Sequence, residues 1–169
     1  MDESNRFVVF VLDEQQFALY LSSVQRIARI VEITPLPKAP EIVLGVVNVK
    51  GSILPVVDIR KRFLLPGRDA QLSDHLIIGC TAKRSIALLV DDVIDILEIP
   101  EQKIIKQGHI LPSAEYIDGA VKLEGNIVLI HDLDKFLSLE EEHTLDAALQ
   151  NAMQKETEPE KRKRKRATK

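Results

Sequence analysis

One stretch of this chain occurs twice, and the repeat limits the folds open to it. Residues 41–63 hold two apolar runs, 42–49 and 53–57, around a Lys50-Gly51-Ser52 turn. Gly51 supplies the positive φ that a tight hairpin turn needs. Asp58 reads as the N-cap of a short helix with Ile59 and Phe63 on one face. The unit is strand, turn, strand, capped helix. Residues 115–137 repeat it. At a spacing of 74, Glu41, Gly45, Val47, Gly51, Ile53, Asp58 and Lys61 return as Glu115, Gly119, Val121, Gly125, Ile127, Asp132 and Lys135. Gly119, Gly125 and Asp132 thus take the hairpin and cap positions of Gly45, Gly51 and Asp58.

The repeat extends upstream. Residues 18–27 align with 87–96 at a spacing of 69, and Phe7-Val-Val matches Leu76-Ile-Ile at the same spacing. One five-residue insertion reconciles the two spacings. A period of about 70 residues is too long for a solenoid, so the chain reads as a duplicated small β-module. It is 45% hydrophobic but only 4% aromatic, with no Trp. The core is therefore aliphatic, which favours strands. A half of about 65 residues is marginal alone, so the halves are expected to share an apolar seam.

Taken in order, 7–12 and 16–21 form a hairpin across Asp13-Glu14-Gln15. Ser22 and Gln25 make a capping-box pattern that predicts a helical turn over 23–28. Ile30, Val31 and Ile33 read as a short strand, and the three prolines of 35–40 as an extended loop. After a linker at 66–71, strands are expected at 75–80, 85–90 and 93–99, then an irregular connection from Pro100 to Pro112. Ser138 and Glu141 form a second capping box. Leu145, Ala148, Leu149, Ala152 and Met153 mark one helical face, giving an amphipathic helix over 139–155. The basic stretch within 156–169 is expected to be disordered. Some ten short strands in two equivalent sets suggest twin small β-barrels, with a flat two-sheet sandwich as the alternative.

No catalytic or metal constellation emerges, and no cofactor is expected. The histidines at 75, 109, 131 and 143 are scattered, with no metal-ligand spacing. His131 replaces Val57 of the first copy and reads as a strand-end residue. Cys80 lies in an apolar strand and reads as a buried thiol. Asp91-Asp92 replaces Ser22-Ser23 and reads as a turn or cap. No apolar run approaches the ~18 residues of a membrane helix. The polar N-terminus lacks a signal-peptide pattern, so a cytoplasmic protein is expected. Residues 161–169 carry seven Lys/Arg and no acid. The other 16 Lys/Arg face 26 Asp/Glu, a net of −10 for the body. Such a tail reads either as a solvated charge run or as an electrostatic contact with an acidic surface.

The motif Gly45-Val-Val-Asn48-Val-Lys50-Gly51-Ser-Ile-Leu-Pro55-Val-Val-Asp58-Ile-Arg60 resembles the signature of the CheW family of chemotaxis coupling proteins. Val24-Gln25-x-Ile27 is similar to the family's Val-Gln-Glu-Ile. Residues 88–97 are similar to its second-half Val-Asp-x-Val-x-Asp-Val-Leu. The resemblance covers about 6–138. It implies an all-β fold of two SH3-like five-stranded β-barrels, about 7–64 and 75–137, with strand exchange between them allowed. It implies a non-catalytic adaptor joining the cytoplasmic tips of chemoreceptors (methyl-accepting chemotaxis proteins) to the regulatory domain of a CheA-type histidine kinase. Carried over by position, Val24, Ile27, Asn48 and Lys50 fall on the receptor side. Val24 and Ile27, three apart on the expected helical turn, share one face; their repeat equivalents Val93 and Ile96, and Arg26 at the polar rim, join this candidate receptor surface. Arg26 reverses the family's Glu, and Lys50 replaces its Arg. The competing class is an SH3-like-barrel nucleic-acid-binding protein using the basic tail. The acidic body and the few aromatic residues weigh against it.

Overall fold

The computed structural model describes residues 5–106 and 117–167, with side chains described as far as Gln154. Glu115, His109 and residues 107–112 of the Pro100–Pro112 connection lie outside the described residues. Eleven strands are present among the described residues: β1 (Arg6–Leu12), β2 (Gln15–Tyr20), β3 (Val24–Arg29), β4 (Val43–Val49), β5 (Ser52–Val57), β6 (His75–Cys80), β7 (Ser85–Val90), β8 (Asp92–Glu98), β9 (Ile105–Lys106), β10 (Ile117–Leu123) and β11 (Asn126–His131). Two α-helices accompany them, α1 (Ile59–Arg62) and α2 (Leu139–Ala167).

The strands form two sheets, β8-β1-β2-β11-β10-β9 and β3-β6-β7-β5-β4. By the repeat spacing, β1, β2, β3, β4 and β5 correspond to β6, β7, β8, β10 and β11. The two sheets then have the same order, with the leading hairpins exchanged. Hairpin β1–β2 lies between second-copy strands β8 and β11, and hairpin β6–β7 between first-copy strands β3 and β5. Each exchange is sealed by one antiparallel and one parallel junction. The parallel ones are equivalent: Ala18 opposes Ile130, and Ala87 opposes Val56.

Each sheet curls around its own small core. Phe7, Val9, Ala18, Val121, Val128 and Ile130 fill one. Val47, Leu54, Val56, Leu76, Ile78 and Ala87 fill the other. The largest cluster lies between the sheets and includes Val8, Phe10, Phe17, Leu19, Ile77, Ile86, Leu88 and Val90. Alternate residues of the exchanged hairpins thus serve a barrel interior and the shared seam in turn.

Two glycines of the repeat are explained by barrel closure. The chain after β3 returns to bridge Thr34 to Val46, and β9 returns to pair with β10. A Cβ on Gly45 would lie 2.2 Å from the Thr34 carbonyl oxygen, and one on Gly119 would lie 3.0 Å from that of Ile105. The other two supply conformation. Gly51 has φ 87° and Gly125 φ 84°, preceded by Lys50 at 50° and Glu124 at 49°. Successive positive φ values are those of the hairpin turn whose twist suits the strands. Asp58 accepts from Arg60 N–H at 3.1 Å and Asp132 from Asp134 N–H at 3.0 Å, capping α1 and a 3₁₀ turn at Leu133–Lys135.

Several local expectations are corrected. The helical turn over 23–28 is a 3₁₀ turn at Leu21–Ser23 followed by strand β3, and no side chain caps that turn. Pairing with β6 overrides the capping-box pattern. The second capping box does form: Ser138 N–H donates to Glu141 Oε1 at 2.9 Å, and Glu141 N–H to Ser138 Oγ at 3.1 Å. The short strand expected at 30–33 is reduced to the Thr34 bridge. In α2, Leu145 and Ala148 are buried and Leu149 and Ala152 pack on the seam, but Met153 is exposed. The helix does not end at 155 but runs to Ala167, through residues expected to be disordered. Lys, Arg and Glu are good helix formers, and the backbone follows them. Cys80 is exposed rather than buried, because it is the last residue of β6 before a turn.

Candidate functional site

Two of the longer strands, β3 and β8, contain no buried residue. They are repeat equivalents, and each ends its sheet. Each also carries a β-bulge at the same place. The β3–β6 register shifts between Val24 and Arg26, and the β1–β8 register shifts so that Phe10 opposes Val93 while Val9 opposes Asp95. Gln25 and Ile94 are the extra residues.

The bulge decides which side chains share a face. Residues directly opposed in an antiparallel pair point to the same side of the sheet. Val24 opposes Gly79 and Ile27 opposes Ile77, a seam residue. Val93 opposes Phe10 and Ile96 opposes Val8, both seam residues. Val24 and Ile27, three apart, would lie on opposite faces of a regular strand. The inserted residue brings both to the seam side, and Val93 with Ile96 likewise. Val24 and Val93 pack against the seam cluster. Ile27, 38% exposed, and Ile96, 46% exposed, carry apolar surface outward from it. The face shared by Val24 and Ile27 was legible in sequence, but for a helical reason that the structure replaces, and Val93 and Ile96 followed from the repeat.

Arg26 is not brought to this face. It opposes Ile78 of the barrel interior and points, exposed, to the other side of β3. Its counterpart Asp95 opposes Val9 in the same way. Asn48 and Lys50 sit on the β4–β5 hairpin. Asn48 Oδ1 accepts from Gly51 N–H at 2.9 Å, so this side chain helps to build the turn. Lys50 is exposed at the tip. In the second copy the hairpin tip and the edge strand flank one cleft of about 200 Å³, lined by Ile94, Asp95 and Leu97 of β8 and by Leu123, Glu124 and Asn126.

Sequence reading missed Ile53 and Ile127, repeat equivalents that are 57% and 65% exposed beside the two hairpin turns. Ile53 opens the apolar run 53–57, and Ile127 is its repeat equivalent. Their signal is position, directly after a turn glycine and serine or asparagine. It also missed the ion-pair knot at the linker. Asp91 accepts from Asp13 N–H at 2.9 Å and pairs with Arg60 and, at 2.6 Å, with Arg68. Arg68 also grips the buried Asp74 through contacts of 2.6 and 3.0 Å. Partial burial alone would raise the Asp91 pKa. Hydrogen bonds from Arg60, Asp13 N–H and Arg68 outweigh it and hold the carboxyl below its usual value. At Tyr20, burial and a hydrogen bond to Asp118 push the phenol well above its usual value. His131 is buried in a ring cluster, 4.5 Å from Phe63 and 5.5 Å from Phe17 between centroids. Among the described residues no group of three His, Cys, Asp or Glu side chains is placed to hold a metal ion. No described helix is long and apolar enough to cross a membrane.

A family model described as the CheW-like domain matches residues 6–141. The chain belongs to the CheW-like family. It is 30% identical over 136 residues to the chemotaxis protein CheW of Rhizobium meliloti (strain 1021), covering 79% of this chain and 88% of that protein. Protein FrzA of Myxococcus xanthus is 29% identical over 129 residues, covering 71% and 76%. The crystal structure of scaffolding protein TtCheW from Thermoanaerobacter tengcongensis superposes with a TM-score of 0.74 at 27% identity, covering 82% of this chain and 95% of that one. The twin-barrel fold and these relatives make the chain a chemotaxis coupling adaptor. They leave the nucleic-acid alternative without support.

Proposed function

We propose that the chain works without catalysis, joining the cytoplasmic tip of a chemoreceptor to the regulatory domain of a CheA-type histidine kinase. On this reading it acts in the cytoplasm and meets the membrane through its receptor. The observation that carries the proposal is the pair of bulge-aligned apolar sites, Val24 with Ile27 and Val93 with Ile96, beside the shared seam. An apolar helical tip laid along that face would bury side chains that the fold leaves exposed. Asn48 and Lys50 are assigned to the polar rim of the receptor surface. Arg26 is withdrawn from the apolar contact, since it points to the other side of β3. The basic run 161–166 is assigned an electrostatic contact with an acidic surface, tested by vesicle binding with and without residues 156–169 at two salt concentrations.

The receptor contact is tested by Ile27→Asp and Ile96→Asp in pull-downs with receptor tip fragments and, separately, with the kinase regulatory domain. Loss of receptor capture with retained kinase capture supports the placement. Full receptor capture by both folded variants would remove this face from the interface. Failure of the unsubstituted chain to bind either partner would sink the adaptor reading itself.

A further inference from the structure

The cleft beside the second hairpin is the mouth of the second barrel. Val9 belongs to that barrel's core, Leu97 and Leu123 pack against it, and the three form the cleft's apolar floor. Asp95 opposes Val9 and so points to the barrel side of β8, away from Val93 and Ile96 on the seam side. Asp95 and Glu124 put two exposed carboxylates on the rim, and neither forms an ion pair among the described residues. At the equivalent positions the first copy has Arg26 and Lys50, with Ala28 in place of Leu97. The first barrel's rim thus has the opposite charge and a smaller apolar side chain beneath it.

At about 200 Å³ the cleft is smaller than a site for a drug-sized ligand and suits single long side chains. Lys and Arg fit it best. Their stems cover apolar surface while the charged head stays at a wet rim. There a carboxylate accepts charge-assisted hydrogen bonds. This chain carries such side chains in a block, since residues 161–166 are all Lys or Arg while the rest of the chain is acidic. α2 packs on the seam as far as Ala152, and its backbone stays helical to Ala167. Residue 161 therefore lies about 14 Å beyond Ala152 along the helix. The block can meet another molecule while α2 stays seated on its own. We propose that the mouth of the second barrel receives Lys and Arg side chains of residues 161–166 from a second copy of this chain. The proposal rests on the assignment of this run to an acidic surface, and it names that surface. The mouth of the first barrel, with Arg26 and Lys50, repels the same run.

The probe is a fluorescent peptide of residues 156–169. The receiving chain is full length and carries Lys161→Gln, Arg162→Gln, Lys163→Gln, Arg164→Gln, Lys165→Gln and Arg166→Gln, so that its own tail does not compete. Peptide anisotropy should show saturable binding at low salt that weakens at high salt. Asp95→Asn with Glu124→Gln in the receiving chain should raise the dissociation constant about tenfold or more. Glu32→Gln with Glu140→Gln removes the same charge from exposed positions elsewhere and should change it less than about twofold. Absence of saturable peptide binding overturns the proposal, as does equal weakening by the two pairs of substitutions. A peptide that binds vesicles of equal phosphatidylglycerol and phosphatidylcholine but not the chain also overturns it, and leaves the run's assignment to an acidic surface standing. A peptide that binds neither removes both. Thermal unfolding of each receiving chain shows whether it is folded.

Discussion

The two sheets share strand order, parallel junctions, bulges and turn conformation, yet they differ at particular equivalent positions. Leu44 and Leu89 pack against the core of one barrel, where the other has Asp118 hydrogen-bonded to Tyr20. Ser22 at one bend is replaced by Asp91, the centre of the ion-pair knot, at the other. One edge strand is basic and the other acidic. What stayed constant is what the backbone requires: the hairpin glycines, the caps and the alternation of core residues. Much of what diverged is on the outside or at the linker, where a difference between the halves can be used, while in the core Val57 of one copy is the buried His131 of the other.

The sharpest way to break the comparison is at barrel closure. Gly45→Ala places a methyl 2.2 Å from a backbone carbonyl oxygen, which can move only with the strand. We expect a loss of about 4 kcal/mol or more, in the range of exceptional single substitutions. Gly119→Ala meets Ile104 Cγ2 at 2.9 Å and the Ile105 oxygen at 3.0 Å, and the first of these is a side chain that can turn. Its loss should be about 1–2 kcal/mol. Urea unfolding measures both, and equal losses would contradict the asymmetry in closure.

Asp91→Asn tests the knot, whose central carboxylate stands where the first copy has Ser22. It leaves the buried Arg60 without its carboxylate partner. We expect a loss of about 2–3 kcal/mol at neutral pH. The folded-state pKa of Asp91 is depressed, so its contribution is present above the ordinary carboxylate value. It is lost as pH falls through the depressed value. The gap in stability between wild type and Asp91→Asn should therefore narrow below about pH 4. A gap constant from pH 7 down to pH 2 would deny the pKa shift.

The turns should behave alike. Gly51→Val and Gly125→Val force a β-branched residue into positive φ with nothing within 4 Å of the new Cβ. Each should lose about 1–3 kcal/mol from conformation alone. A large difference between them would show that surroundings, not backbone, set the cost. The smallest effect is expected at the edges. Arg26→Glu should change stability by no more than about 0.5 kcal/mol, since the side chain is exposed. Thermal unfolding checks it, and a larger loss would mean that Arg26 serves the fold.

The repeat made most of the fold legible, because a duplicated pattern of glycines, caps and alternating apolar residues is local information. Strands 75–80 and 85–90 were readable to the residue. The 23–28 segment was not, since a capping-box pattern and a strand edge use the same residue types there, and only pairing with β6 chooses between them. The apolar site pairs were readable as pairs. The bulges that align them were not, because a bulge depends on the neighbouring strand. The ion-pair knot joins residues 13, 60, 68, 74 and 91, too far apart in sequence for spacing to reveal. The exposed side of Cys80 was hidden by its apolar neighbours.

The hairpin exchange also has a consequence for synthesis. A ribosome delivers β1 and β2 well before their flanking strands β8 and β11, which end at residues 98 and 131. At translation speeds of about 5–20 residues per second, the first hairpin waits on the order of ten seconds for its neighbours. During that wait Phe7, Val9 and Ala18 have no barrel to enter. Nascent chains arrested before residue 131 should remain open to protease through β1–β2, and early protection there would show that another route shelters the hairpin. A hairpin made before its neighbours is thus among the last segments to find its place.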